Sequence, residues 1–333
     1  MNKKFLTISI AAYNVEKYIK ETLDSITIPM IMDDIEVLIV DDGGTDNSYN
    51  LCKQYEEKYP NTFKVFHKEN GGYGSVYNYN IVKASGKYFK LLDGDDWFDK
   101  DGLIKLVDTL KNTDADVVFT SFNNCYDNNI SEGISYNSKY IDKLINIFEF
   151  KINNGLPMHA ITYKTEILKK SKMQLKEHVP YTDSMYITMP MAYVDTILVK
   201  DFIVYNYRLG LPNQTVNVDV RIKNFNIAEE IYIDLVNYYN EIDVSNGKKS
   251  VYLKDRIAAS LLDHIVVALK MPTKKENIDY IIKFEKRIKS MSKDIFDDMI
   301  NLDRKASKIL KLLRLSNYKA YYFLSFIIKI IIK

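Results

Sequence analysis

Two periods of apolar residues interleave along the first 125 or so positions. Phe5–Ala12 (FLTISIAA), Ile35–Val40 (IEVLIV), Phe63–His67 (FKVFH), Tyr88–Leu92 (YFKLL) and Val117–Phe122 are short runs rich in apolar side chains. Between them apolar residues recur every three or four places, as at Val15, Ile19, Leu23 and Ile26. The first pattern predicts buried strands. The second predicts amphipathic helices over Val15–Ile26 and, approximately, Asp46–Tyr59, Gly74–Ala84 and Asp101–Leu110. Strands of this kind alternating with helices predict an α/β fold, a Rossmann-like, mostly parallel sheet with helices on both faces. Ligands of such folds bind beyond the carboxyl ends of the strands.

After Asn123 the pattern loosens. A polar stretch to about Ser138 precedes an expected helix over Tyr140–Lys151, a loop over Asn153–Met158, a segment Ile161–Lys170, a short helix over Thr182–Met191 and a strand or hairpin over Thr196–Tyr207. From about Val218 long helical periodicities follow, separated near 246–249 and 271–273. The 333 residues suit two domains. We expect an α/β domain at 1–215, with a ligand-binding half (1–125) and a second half (126–215), then a helical region at 216–333.

The polar content gathers at the predicted strand ends. The first strand runs into Tyr13-Asn14, the second into Asp41-Asp42-Gly43-Gly44-Thr45-Asp46, and the fourth into Asp93-Gly94-Asp95-Asp96. The chain has only 12 glycines, yet eight lie between Gly43 and Gly102. Three carboxylates in four residues raise one another's pKa unless a cation holds them, and the matching counter-charge is a hard divalent ion, Mg²⁺ or Mn²⁺. The competing reading is a solvated acidic turn capping the helix near Asp101. Asp41 and Asp42 are placed to accept hydrogen bonds from a nucleobase or a ribose, whereas Asp46 reads as a helix cap. Asn70-Gly71-Gly72-Tyr73-Gly74 opens a helix carrying Ser75 and Asn78, an entry suited to a diphosphate; a simple turn is the alternative. Gly86 and Gly102 read as plain turn residues.

Rival motifs fail on inspection. An EF-hand loop counted from Asp93 puts Trp97 and Phe98 where a ligand and a glycine belong. Gly72-Tyr73-Gly74 lacks the third glycine of a dinucleotide fingerprint, and Gly86-Lys87 lacks the rest of a P-loop. A haloacid-dehalogenase-type phosphatase is harder to dismiss, since it shares Asp-x-Asp after a strand; against it, Trp97 stands where Thr or Val belongs, and its nucleophilic Asp normally ends the first strand.

Leu6–Asn14 (LTISIAAYN), Val37–Thr45 (VLIVDDGGT), Asn70–Gly86 (NGGYGSVYNYNIVKASG) and Leu91–Trp97 (LLDGDDW), in this order, resemble the family 2 glycosyltransferases of the GT-A fold. The resemblance covers about the first 120 residues. It implies a nucleotide-diphosphate sugar donor, with a UDP-sugar favoured, a divalent metal, and inversion at the anomeric carbon. It places Ala12, Tyr13, Asn14, Asp41 and Asp42 at the nucleoside, and Gly71, Gly72, Asn78, Gly94 and Asp96 around the donor. Asp93 faces the ribose side, and Asp95 binds the metal with support from Asp93. Ala12, Tyr77 and Asn80 stand where Pro, Arg and Gly are common in the family. Asp-Gly-Asp-Asp-Trp resembles a bacterial subgroup. The general base implied is an acid about 90 residues further on, at a helix start, which matches Asp183 in Tyr181-Thr182-Asp183-Ser184-Met185; a helix cap is the alternative. Arg208 and Gln214 fit the subgroup's Tyr-Arg-x-Gly-x-x-x-Gln, an Arg fork suited to a diphosphate or to the acceptor, although a surface Arg is an equal reading.

Charge and cysteine content add limits. The formal net charge is +2, without the excess that nucleic acid demands. Arg304 to Lys333 holds eight basic residues and no acid, so removing those eight takes the first 303 residues from +2 to −6. Lys305, Lys308, Lys311 and Arg314 interleave with Ile309, Leu312 and Leu313, and Ala320–Ile332 is apolar but broken at Lys329. This stretch is too short to span a bilayer. It reads either as a helix on an anionic inner leaflet or as one packed on the protein or in a homo-oligomer. Cys52 and Cys125 read as reduced thiols, and His67, His159, His178 and His264 show no ligand spacing. With no secretory signal at Met1–Phe5, a cytoplasmic protein is expected, peripheral on the inner face of the membrane if the tail binds there. The function expected is transfer of a sugar to a saccharide or lipid-linked saccharide in cell-surface polysaccharide or glycolipid synthesis. A metal-dependent phosphotransfer or nucleotidyltransfer enzyme and a non-catalytic nucleotide-sugar-binding partner stay open.

Overall fold

The computed structural model describes residues 3–127, 129–150, 156–211, 214–242 and 247–331. They divide into two compact units, one formed by described residues up to Leu211 and one by those from 214 on. The first unit is built on β1 (Leu6–Ala12), β2 (Ile35–Asp41), β3 (Phe63–His67), β4 (Tyr88–Asp93), β5 (Trp97–Phe98), β6 (Val117–Tyr126), β7 (Asn129–Glu132), β8 (Leu144–Asn146), β9 (Ile161–Lys164) and β10 (Thr196–Arg208). Among the described residues these form one sheet in the order β3-β2-β1-β4-β9-β6-β10-β5, with β7 beside β6 and β8 beside β10. The first four strands pair in parallel, as expected. The rest is mixed, because β9 runs antiparallel to both β4 and β6.

Helices α1 (Ile19–Ile26), α2 (Ser48–Lys58), α3 (Tyr73–Lys83), α4 (Lys100–Lys111), α5 (Thr165–Ser171) and α6 (Asp183–Thr188) complete the unit. The core runs through β1, where Leu6, Ile8, Ile10 and Ala12 are fully buried. The two family departures on α3 are core residues. Asn80 donates to Ser9 Oγ (2.9 Å) and to the Leu38 carbonyl (3.0 Å), tying the helix to β1 and β2. Tyr77 is buried edge-on against Phe89 and Tyr186.

Two expectations are corrected here, and one alternative is set aside. No helix forms over the described part of 140–151: a 3-10 turn at Ser138–Tyr140 leads to β8, which pairs with β10, so strand pairing overrides the helical spacing. Lys151 and the first three residues of the expected loop at Asn153–Met158 lie outside the described residues. Gly86 and Gly102 are not plain turn residues, since a Cβ would stand 2.5 Å from the Thr7 nitrogen and 1.8 Å from the Ile203 carbonyl oxygen, respectively. Nor does the acidic turn cap the helix near Asp101; Asp99 caps α4 by accepting from the Gly102 N–H at 2.7 Å.

The second unit is helical: α7 (Val218–Lys223), α8 (Phe225–Glu241), α9 (Gly247–Lys270), α10 (Lys275–Met291), α11 (Lys293–Asp298), α12 (Lys305–Leu315) and α13 (Tyr321–Ile331). The break expected at 246–249 is therefore interrupted by the start of α9 at Gly247. The carboxylate of Glu285 is buried on α10 and receives Arg314 (2.5 and 2.8 Å) and the Tyr318 hydroxyl (2.5 Å), clamping α12 to α10. His264 stacks on Phe225 and bonds the Tyr280 hydroxyl at 2.7 Å.

Candidate active site

The parallel register brings the polar strand ends together: Ala12 lies opposite Asp41, and Ala11 opposite Asp93. Asn14, at φ 54°, accepts from the Thr45 N–H (2.8 Å) and so closes the first turn onto the second, while Tyr13 stands exposed. A Cβ on Gly44 would lie 2.9 Å from Asp41 Oδ1, a close approach only glycine permits. Asp41 is buried, with Oδ2 2.6 Å from His67 Nδ1 and Oδ1 without a partner among the described residues. Asp46 accepts from the Ser48 and Glu16 N–H groups, the cap expected of it.

The glycine-rich loop differs from the expected anion cradle. The buried Asp42 carboxylate already accepts from the Gly71 and Gly72 N–H groups (3.0 and 2.7 Å), Lys68 Nζ (2.6 Å), Asn70 Nδ2 (3.2 Å) and Ser75 Oγ (3.3 Å). An internal carboxylate thus sits where a phosphate was expected, and Asp42, Gly71 and Gly72 hold the loop together. Gly72 has φ 78° and lies against the His178 backbone. Asn78 is likewise committed: its side chain donates to and accepts from the Leu175 backbone, both at 2.9 Å, fastening the loop before α6.

The turn Asp93-Gly94-Asp95-Asp96 is pinned from beneath. Thr22 Oγ1 lies 2.6 Å from the Asp96 carbonyl and 3.0 Å from that of Gly94, and a Cβ on Gly94 would meet the Ala11 carbonyl at 2.7 Å. Asp96 is buried and accepts from the Tyr205 hydroxyl (2.6 Å) and the Arg208 N–H (2.7 Å), so both its oxygens are bonded within the protein. Arg208 lies between Tyr18 and Trp97, 4.9 and 4.6 Å from their ring centres. Its Nε donates to the Asp95 carbonyl (2.8 Å) and its Nη2 to Glu21 (2.6 Å). These contacts make the guanidinium a strut under the acidic turn, alongside the part at a diphosphate or the acceptor expected of it.

Burial, then the neighbouring Asp95, pushes the Asp93 carboxyl up to about 8, opposed by a hydrogen bond from Tyr73 and reinforced by the charge of Asp183. Burial also raises Asp95, against the pull of Arg208. Asp96 is raised further by burial and by Asp93 and Asp95. Asp183, the first residue of α6, acts electrostatically on Asp93, Tyr73 and Tyr207, so the proposed base belongs to the same cluster.

Beside His159, named above for its lack of ligand spacing, two residues not singled out beforehand, Tyr205 and Tyr207, line this cluster. Tyr207 stacks on His159 with ring centres 4.1 Å apart, and its phenol is raised by burial and then by Asp93, Asp96, Asp95 and Asp183. Tyr205 bridges Asp96 and the Asp93 N–H. Alternation along Tyr205-Asn206-Tyr207 puts both phenols on one face of β10, a signal present in the sequence. His159 is buried with Nδ1 unpartnered among the described residues, and burial followed by Lys90 lowers it to about 3. Ligating atoms of Asp93, Asp96 and His159 lie within 4.8 Å of one another. Lys90, fully buried on β4 and lowered to about 7 by burial, donates to the His159 carbonyl at 2.8 Å.

Residues 7–171 match the profile of Glycosyl transferase family 2. The matched segment holds β1 to β4 and the acidic turn, while Asp183, Tyr205, Tyr207 and Arg208 come from beyond it. Among related proteins, glycosyltransferase GlyA of Streptococcus pneumoniae is 32% identical over 43% of this chain and 21% of its own length. A poly(ribitol-phosphate) beta-glucosyltransferase of Bacillus spizizenii is 24% identical over 83% of this chain and 43% of its own. The chain thus spans less than half of either relative. Residues 1–349 of S. aureus TarS, solved in complex with UDP-GlcNAc, share the fold, with a TM-score of 0.67 at 19% identity over 97% of this chain and 90% of that one.

Proposed function

We propose that the protein is an inverting glycosyltransferase that moves a sugar from a nucleotide-diphosphate sugar to a hydroxyl of a saccharide or lipid-linked saccharide in cell-surface polysaccharide synthesis. The observation that carries this reading is the convergence of Asp93 at the end of β4 with Asp183 at the start of α6, within electrostatic reach of each other. The family 2 segment supports the reaction class. A UDP-sugar is favoured because TarS, of the same fold, was solved with UDP-GlcNAc.

In this reading the nucleoside lies over Ala12, Tyr13 and Asn14, with Asp41 Oδ1 accepting one of its N–H or O–H groups. The diphosphate points toward Asp95 and Asp93. The donor set suits Mg²⁺ or Mn²⁺: Asp93 Oδ1 is buried without a partner among the described residues, and its carboxyl is destabilised as an anion. A divalent cation held by Asp95 and Asp93 would neutralise the departing diphosphate. Arg208 and Thr22 hold the turn that aims these carboxylates. Asp183 takes the proton from the acceptor hydroxyl on the face opposite the leaving group, and displacement in line inverts the anomeric carbon.

Asp183→Asn tests the base. Donor binding by calorimetry is expected to persist while transfer falls by about 10²- to 10⁴-fold. Unchanged transfer rejects the assignment.

A further inference from the structure

Helix α13 is apolar on both sides, though only one side has protein against it among the described residues. On α13, Tyr321, Leu324, Ser325 and Ile328 are buried. Ser325 Oγ donates to the Leu269 carbonyl at 2.7 Å, docking this side on α9. The opposite side presents Tyr322, Phe323, Phe326 and Ile330, each 59–66% exposed. At 100° per residue these four fall within an arc of about 100°. A contiguous apolar and aromatic face of this kind marks a surface meant to be covered, unlike the single exposed Met30 or Val82 elsewhere.

The charge around it selects what covers it. On the neighbouring α12, Lys305, Lys308, Lys311, Leu312 and Leu315 are exposed along one stripe. Arg304 and Arg314 are taken up by Asp263 and Glu285. Lys305, Lys308, Lys311 and Lys319 have no acidic partner among the described residues, and Arg304 to Lys333 contains no acid. A two-fold contact with a second copy would set the same surface, and the same lysines, against each other. An anionic lipid surface satisfies both features, taking the aromatic face into its apolar boundary and the lysines at its headgroups. Tyr321, Leu324, Ser325 and Ile328 fasten one side of α13 to the protein, so its aromatic side is offered to that surface along the helix.

We infer that α12 and α13 form a peripheral membrane-docking face for anionic phospholipid, with Phe323 and Phe326 as its inserted anchors. The inference is independent of the reaction proposed above.

Flotation of the full chain with vesicles tests it. The protein is expected to float with phosphatidylglycerol/phosphatidylcholine vesicles, to release as salt rises, and to stay behind with phosphatidylcholine alone. Lys308→Glu with Lys311→Glu is expected to weaken partitioning at least about tenfold, as roughly fivefold per lysine predicts. Phe323→Ser with Phe326→Ser is expected to weaken it at least about as much. Unchanged circular dichroism establishes that each pair folds, and the exposed lysine pair carries the test if the phenylalanine pair does not. Absence of vesicle binding, equal binding to neutral vesicles, or binding indifferent to folded variants overturns the inference. A dimer in sedimentation that the same substitutions dissociate, without vesicle binding, assigns the face to a second copy and overturns it too.

Discussion

Replacing Asp42 by Asn changes one atom and separates two roles for this residue. In the structure its Oδ1 accepts from Gly71 N–H, Lys68 Nζ and Ser75 Oγ, and its Oδ2 from Gly72 N–H and Asn70 Nδ2. Whichever way the amide turns, its NH₂ faces at least two donors, and Lys68 loses its ion pair at 2.6 Å. A charge-assisted hydrogen bond lost in a buried site costs about 1.5–3 kcal/mol. Breaking a buried, multiply bonded ion pair costs about 3–5 kcal/mol in all, and we take that range for D42N. For a unit of this size roughly 2–4 °C is lost per kcal/mol, so melting is expected to fall by about 6–20 °C. Thermal unfolding without nucleotide measures this directly. A variant that melts within a degree or two of the parent yet loses donor affinity would refute the reasoning and return Asp42 to the nucleoside.

Further expectations concern the acidic turn. Arg208→Lys removes the planar group between Tyr18 and Trp97, so the fluorescence of Trp97, the chain's one tryptophan, is expected to shift and kcat/KM to fall about tenfold; no change in either contradicts the strut. Asp93 is held near 8 by burial and by Asp95, while unfolded it titrates near an ordinary carboxyl, so the unfolded chain binds fewer protons between about pH 4 and 8. Its contribution to stability is therefore full below about pH 4 and is lost as pH rises toward 8. Asp93→Asn in chelator is expected to gain on the parent by up to about 1.4 kcal/mol per pH unit across that window. Parallel pH profiles in urea unfolding refute it.

The contrast between short apolar runs and helical spacing made β1 to β4 and α2 to α4 legible, because these elements are buried on the faces their sequences advertise. Tyr140, Leu144, Ile147 and Phe150 imitate helical spacing, yet Leu144–Asn146 becomes a strand because β10 offers it a partner. Local pattern cannot register a pairing partner about 50 residues away. In the site, the motif positions were legible and their bonding was not. Asp41 and Asp42 are adjacent identical acids, but only the structure shows that Asp42 turns inward to the loop while Asp41 keeps an unbonded oxygen. Arg208 announces a charge, whereas its stacking depends on Tyr18 and Trp97 from distant elements. Asp183 was found through the family resemblance and a helix start, and its proximity to Asp93 came from the fold.

The proposed glycosyl transfer stands on a metal-dependent nucleotide-sugar site at Asp95 and Asp93. Calorimetric titration of the full chain with UDP-GlcNAc and other nucleotide-diphosphate sugars, with Mn²⁺ and in chelator, tests it most directly. At least one donor is predicted to bind saturably with Mn²⁺, and to lose that binding in chelator and in Asp95→Ala. Binding of no nucleotide, or binding of equal strength in chelator and in the variant, would contradict the account.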